Sequence, residues 1–443
     1  MSTNTKAFIG IDAGTTGCTV MIFDEKGNAL GHGYKEYPSE SPYAGWGEQS
    51  LEKVWDGICV ASKQATSQAN LPDDAYVSVG FSSQRGTLCL LDKDKKPLQD
   101  SILWYCTRAR DYPEIFGQHI TPEEYQEHTG MQLSPLWVAA KIAWLRDNKP
   151  DTFEKTAWFA NGQEYFLYLL GADRWETDPA SLTLNGMMDI RKLDWSDRVL
   201  EMCGISRDRV PPVGPPSGMV GKVSKQASEA TGIPEGVILC RGAGDQQCAA
   251  IGAGVIRQGM AEFTVGTAGV MVAHLDSVDR IKGKNLWWGG HGVPNAWDIE
   301  GGAFCLGASL KWWRDNLGLD EVQEAESRNT SPYSVMVDKA QESPAGARGL
   351  LFHSFLASQV TPYYDADSRG GLIGLGNYHT RVDLVRALLE GCAHEMKMVV
   401  DAFQSDIDGG ISTLRLTGGG TKSAGFSQIM TDIIGMETEV TKE

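Results

Sequence analysis

With 443 residues the chain is too long for one ordinary hydrophobic core, so two domains are expected. A hydrophobic content of 42% fits a packed globular protein and excludes a disordered one. The net charge of −17, with no basic run longer than Lys95-Lys96, excludes a nucleic-acid surface, and any anionic ligand must be held by local dipoles or a metal.

The first elements form a meander. Ala7-Phe8-Ile9-Gly10-Ile11 reads as a strand, Asp12 to Gly17 as a glycine turn, and Cys18 to Phe23 as a second strand. After the turn Asp24 to Asn28 comes a third, Ala29 to Tyr37. Leu51 to Gln68 is a helix with Val54, Trp55, Ile58 and Ala61 on one face. Strands follow at Tyr76 to Phe81 and Leu88 to Asp92, the latter leading into a charged hairpin at 93–97. Helices are expected at 136–147 and 161–171. No apolar run approaches the ~20 residues that cross a bilayer. The longest candidate, Leu136 to Leu145, is broken by Lys141. Residues 206–222, rich in Pro and Gly, are a linker or a rigid connection within the first domain.

A strand at Val237 to Cys240 delivers the chain to Asp245. The strand Met260 to Val265, the turn Gly266-Thr267-Ala268-Gly269 and the strand Val270 to His274 then echo residues 7–23. Helices Gly307 to Asn316 and Asp383 to Ala402 and a strand at Ser412 to Leu416 complete the series. The reading is an α/β protein with a weak internal duplication, divided into 1–244 and 245–443. Nine cysteines without a CxxC pair read as reduced thiols of a cytoplasmic protein. The opening Met-Ser-Thr-Asn-Thr-Lys runs directly into a strand, so no signal peptide is expected.

Four stretches carry candidate chemistry. In Asp12-Ala13-Gly14-Thr15-Thr16-Gly17 a carboxylate precedes a turn whose N–H groups and hydroxyls suit phosphate oxygens, and Asp12 can hold Mg²⁺ through water. An ordinary hairpin turn has the same composition. In Gly242-Ala243-Gly244-Asp245-Gln246-Gln247 small neighbours let a substrate approach a carboxylate that can take a proton from an alcohol; the plain alternative is a helix N-cap. Gln84 and Arg85 offer donors to hydroxyl groups, and Trp104 a flat wall for the carbon side of a polyol; otherwise Arg85 is a surface ion pair and Trp104 is core. Gly418-Gly419-Gly420-Thr421-Lys422-Ser423 allows close contact with a nucleotide, or is a strand-to-helix turn. Trp287-Trp288 and Trp312-Trp313 read as packing residues, and the eight histidines show no metal spacing.

Taken in order, these stretches resemble the FGGY carbohydrate kinase family over nearly the whole chain. Phe8 to Thr16 is similar to its first phosphate loop, and Gly242 to Gln247 to its catalytic segment, closest there to glycerol kinases. Lys141-Ile142-Ala143-Trp144-Leu145 is similar to its first signature. Gly371-Leu372-Ile373-Gly374-Leu375 with Arg386 to Gly391 is similar to its second. The resemblance implies two actin-like, ribonuclease-H-like domains around a central cleft. It implies transfer of the γ-phosphoryl group of ATP, with Mg²⁺, to a sugar or polyol hydroxyl; the resemblance does not select the sugar, and a ketopentose such as xylulose is the expected acceptor. Asp245 would be the base. Asp12, Gly14, Thr15, Thr16, Gly266 and Thr267 would surround Mg²⁺ and the phosphates. Gln84, Arg85, Trp104 and Gln246 would face the sugar, and Gly307, Lys311, Gly419 and Ser423 the nucleotide.

The sequence also departs from the family. Thr19 replaces the usual Arg or Lys after the phosphate loop. Gly86 stands where glycerol kinases have Glu, and Leu136 where they have Tyr, changes that widen and neutralise the sugar site. The chain stops at Glu443, about where the family has a closing helix, so a shortened second domain is expected. A polyol kinase, and a non-catalytic sugar or nucleotide sensor on the same scaffold, remain open. The expected partner is a small sugar or polyol, with no nucleic acid and no membrane, and a homodimer is compatible.

Overall fold

Ala7, Ile9, Ile11 and Ala13 are buried, while Phe8 and Asp12 face outward; this alternation makes Ala7–Ala13 (β1) a strand with one face in the core. The structure, a computed structural model, describes residues 5–441. The expectations about the start at Met1 and the end at Glu443 lie outside the described residues.

The chain divides into two units, Met1–Cys248 with Trp288–Trp297, and Ala249–Trp287 with Asp298–Glu443. Asp245 thus belongs to the same unit as Asp12. In the first unit β1 pairs antiparallel with Gly17–Asp24 (β2), which pairs antiparallel with Ala29–Glu36 (β3). On its other side β1 runs parallel to Tyr76–Ser83 (β4), and β4 parallel to Ile238–Gly244 (β6). Met219–Lys222 (β5) closes the edge antiparallel to β6, giving the order β5-β6-β4-β1-β2-β3.

The parallel strands end level. Ala13 is in register with Ser83, and Ser83 with Gly244. Three carboxyl ends therefore meet at one edge, where ligands of open α/β sheets commonly bind. The helix Leu51–Ala69 (α1) buries Leu51, Val54, Ile58, Ala61 and Ala65 on the sheet. It lies so close to β3 that a Cβ at Gly33 would sit 1.9 Å from the Ala61 carbonyl oxygen.

The segment 206–222 is a rigid connection inside the first unit. Thr177 N–H donates to Pro212 O at 2.9 Å, Trp195 Nε1 to Pro211 O at 2.7 Å, and β5 joins the sheet. The strand expected at Leu88 to Asp92 contracts to Cys89–Leu91, whose partner is Trp158–Ala160.

The second unit repeats the plan. Met260–Val265 (β7) pairs antiparallel with Gly269–Leu275 (β8) and parallel with Thr413–Thr417 (β11). Thr438–Val440 (β12) continues parallel beyond β11. Trp287–Gly290 (β9), which apart from Trp287 is counted with the first unit, and Trp297–Ala303 (β10) complete this sheet in the order β9-β10-β8-β7-β11-β12. In both sheets the opening strand has an antiparallel hairpin partner on one side and a parallel strand on the other, as the echo of 7–23 in 260–274 leads one to expect. The long helix Arg381–Asp406 (α5) packs against Ala424–Ile434 (α6). Trp288 and Trp313 are buried, but Trp312 is exposed, contrary to its reading as packing. All nine cysteines are free, and among the described residues no helix is long and apolar enough to cross a membrane.

Candidate active site

The β1–β2 turn is held open by its surroundings. Gly14 N–H donates to Gly17 O at 3.1 Å. Tyr37 Oη donates to Gly14 O at 2.7 Å, and Gln49 Nε2 to Thr15 O at 2.8 Å. Neither Tyr37 nor Gln49 is legible as a site residue in sequence, because each acts across 23 and 34 positions of chain.

Asp12 sits within β1 rather than in the turn, in register with Ser82. Ser82 Oγ donates to Asp12 Oδ1 at 2.7 Å. Loss of solvation pushes the Asp12 carboxyl above its ordinary range; the Ser82 hydroxyl opposes this, and the charge of Asp245 adds to it. A carboxylate whose proton affinity is raised by a second carboxylate suits a divalent cation beside it. Among the described residues no group of three or more His, Cys, Asp or Glu could hold a metal ion. The oxygen donors at Asp12 and Ser82 fit Mg²⁺, which prefers oxygen ligands, keeps several waters and takes substrate phosphate oxygens.

Thr15 is a hub. Its hydroxyl donates to Gln84 Oε1 at 2.9 Å and accepts from Trp104 Nε1 at 3.0 Å. Gln84 Nε2 donates to Gln49 Oε1 at 2.9 Å, which fixes its amide orientation. Trp104 is 38% exposed and is not core. Arg85 is 4% exposed and is not a surface ion pair. Its Nε lies 3.5 Å from Asp245 Oδ1. Gly244 makes this approach possible, since a Cβ there would stand 2.1 Å from Arg85 Cδ.

Asp245 is the first residue of the helix Asp245–Gly252 (α3), and its Oδ1 accepts from Gln246 N–H at 2.9 Å. This bond to the adjacent N–H leaves the carboxylate available: its side chain is 37% exposed. Gln246 Oε1 is buried and has no hydrogen-bond partner among the described residues, an acceptor that a ligand hydroxyl would satisfy. Gly86 has φ +67°, so a glutamate at this position would be strained. The first unit thus brings together Asp12, Gly14, Thr15, Thr16, Gln84, Arg85, Trp104, Asp245 and Gln246.

In the second unit the Gly266-Thr267 turn supports the start of the helix Leu306–Asn316 (α4). Gly307 N–H donates to Gly266 O and Ala308 N–H to Thr267 O, each at 3.0 Å. A Cβ at Gly307 would stand 2.5 Å from Gly266 O. Gly418, at φ +82°, lies against Val265, while Gly419 has open space where a side chain would be. Ser423 caps α6 through Phe426 N–H at 3.4 Å. Lys311 is exposed and pairs with Asp315 at 2.5 Å, one helical turn on.

Beneath both turns lies Glu262, fully buried on β7. It accepts from Thr264 Oγ1 at 2.6 Å and from Thr417 Oγ1 on β11. Burial pushes its carboxyl up to about 7, against the pull of the two hydroxyls. A lone glutamate among Met260, Ala261 and Phe263 was the available signal in the sequence.

Known proteins carry the same architecture. The N-terminal domain of the FGGY family of carbohydrate kinases matches residues 7–252, and its C-terminal domain residues 261–443. The chain belongs to the FGGY carbohydrate kinases. The family's enzymes use ATP with Mg²⁺. A glycerol kinase of Thermococcus kodakarensis is 30% identical over 97% of this chain and 84% of its own length. A gluconokinase of Bacillus subtilis is 27% identical over 98% and 84%. Among solved structures, gluconate kinase from Lactobacillus acidophilus superposes with a TM-score of 0.89 at 22% identity, over 99% of this chain and 86% of that one.

Proposed function

We propose that this FGGY kinase transfers the γ-phosphoryl group of ATP to a hydroxyl of a ketopentose of the xylulose type, with Asp245 as the base. The carrying observation is Asp245 Oδ1 at 3.5 Å from the buried Arg85 guanidinium, at the shared carboxyl edge of β1, β4 and β6. Asp245 accepts the proton of the attacking hydroxyl, and Arg85 fixes the direction in which the carboxylate points. Because the phosphoryl transition state is loose, aiming the oxygen matters more than basicity. Trp104, Gln84 and Gln246 orient the sugar, and Thr15 holds the first two in place. Bound Mg²⁺ supplies charge neutralisation at the phosphates, with Asp12 as its protein carboxylate. The Gly266-Thr267 turn, Gly307 and Gly419 take the nucleotide.

Xylulose kinase of Bacillus subtilis, 28% identical over 97% of this chain and 83% of its own length, supports the five-carbon reading. So does Gly86, whose left-handed backbone disfavours the glutamate that glycerol kinases carry. The test is ADP release across xylulose, ribulose, gluconate and glycerol. Asp245→Asn is expected to lower kcat by about 10²- to 10⁴-fold with the preferred sugar. Undiminished turnover removes Asp245 as base, and a preference for glycerol over every ketopentose overturns the substrate assignment.

A further inference from the structure

Lys141 interrupts an apolar helix, and among the described residues its charge has no carboxylate partner to explain it. It lies on the helix Val138–Asn148 (α2) and is 0% exposed. Its Nζ donates to Gly86 O at 3.0 Å, to Leu103 O at 2.8 Å and to Trp104 O at 3.1 Å. Three carbonyl oxygens around one nitrogen need three hydrogens, and only the ammonium has them. That demand opposes the burial, which pulls the group down to about 7.

The acceptors are what give this cluster meaning. Gly86 follows Arg85 in one turn, and Trp104 lies in another. The second turn is closed on itself by Cys106 N–H donating to Leu103 O at 3.1 Å. Its flanks also pair with Gly47 and Leu88, through Leu103 N–H to Gly47 O at 3.0 Å and Leu88 N–H to Ile102 O at 2.8 Å, but these bonds do not reach Gly86. Lys141 ties it to the Arg85-Gly86 turn through backbone atoms, leaving the side chains of Arg85 and Trp104 to point elsewhere. Removing the ammonium takes the donor from Gly86 O and Trp104 O, and the two turns, held together through the Leu88–Ile102 backbone pair behind them, are then free to shift.

We propose that Lys141 is a positioning residue for sugar recognition, locking Arg85 and Trp104 at a fixed spacing. This rests on the assignment of those two residues to the sugar. The phosphate turn touches Trp104 through the Thr15 hydroxyl, but its backbone has its own anchors, Tyr37 to Gly14 O and Gln49 to Thr15 O. Lys141 therefore governs the sugar far more than the nucleotide.

The test uses the full chain with Lys141→Met, nearly isosteric but without donors, and Lys141→Gln, too short to reach all three carbonyls. The KM for the preferred sugar is expected to rise at least 10-fold, with the KM for MgATP within 2-fold of wild type. A merely structural role would instead lower the active fraction, reducing kcat with both KM values unchanged, and that result overturns the proposal. A second measurement is independent of activity. In protein labelled with 5-fluorotryptophan, the Trp104 resonance, assigned by its loss in Trp104→Phe, is expected to shift or broaden in either Lys141 variant. An unmoved Trp104 resonance in a folded variant refutes the tie. If the resonance moves but the wild type phosphorylates no sugar, the proposed function fails while the tie stands.

Discussion

Replacing Glu262 by glutamine should change how stability depends on pH. Burial moves this carboxyl from an ordinary 4.5 to about 7. At 1.36 kcal/mol per pH unit, that difference amounts to about 3 kcal/mol. The sign follows from which state holds the proton more tightly. The folded protein does, so its stability is fully present below about 4.5 and is lost as pH rises through about 7. Glutamine cannot ionise, so the variant lacks this loss. Glu395, on α5, is pushed to about 7 by its own burial and bends the curve the same way. The informative quantity is therefore the difference between wild type and Glu262→Gln, which cancels Glu395. That difference should drift in favour of the variant by about 3 kcal/mol between pH 4 and 8. For a unit of this size the drift corresponds to roughly 6–12 °C in the midpoint of its thermal transition. Calorimetric scans at closely spaced pH values, following the transition of the second unit, make the measurement. The glutamine amide also alters the bonds to Thr264 and Thr417, which offsets the two curves by a constant. Parallel curves with a constant offset would refute a neutral-range carboxyl at this position.

Other substitutions probe the two halves of the site. Gly307→Val places a Cβ 2.5 Å from Gly266 O, so the turn must shift. The KM for MgATP should rise by about 10-fold, with a stability loss of roughly 1–3 kcal/mol by thermal melting. An unchanged KM for MgATP would remove this turn from the nucleotide site. Thr15→Val removes both the donor to Gln84 and the acceptor for Trp104, and the sugar KM should rise about 10-fold. An unchanged sugar KM would show that the relay does not orient the sugar. Gly86→Ala forces a side chain into a left-handed backbone with a Cβ 3.2 Å from Leu184 Cβ, and should cost about 1–2 kcal/mol by urea titration. Stability equal to wild type would mean the turn relaxes freely.

Much of this protein is legible in its sequence because local rules act over short spans. Alternation gave β1 and β2, the period of α1 is carried by Val54, Ile58 and Ala61, and the recurrence of strand, glycine-threonine turn and strand announced the repeated sheet. Asp12 and Asp245 stand out because each is a carboxylate at the end of a buried strand among small residues. What sequence could not decide is how distant segments meet. It left Arg85 between surface and site and Trp104 between core and site, since exposure depends on neighbours such as Gly244 and Thr15. It showed Lys141 only as a break in hydrophobicity, because the carbonyls that accept from it lie 37 to 55 positions away. Glu262 likewise acquires its raised proton affinity from a threonine 155 positions on. Periodicity fixes which face of an element is buried. Hydrogen bonds and desolvation are set by whatever the folded chain brings against that face, and only the tertiary structure supplies it.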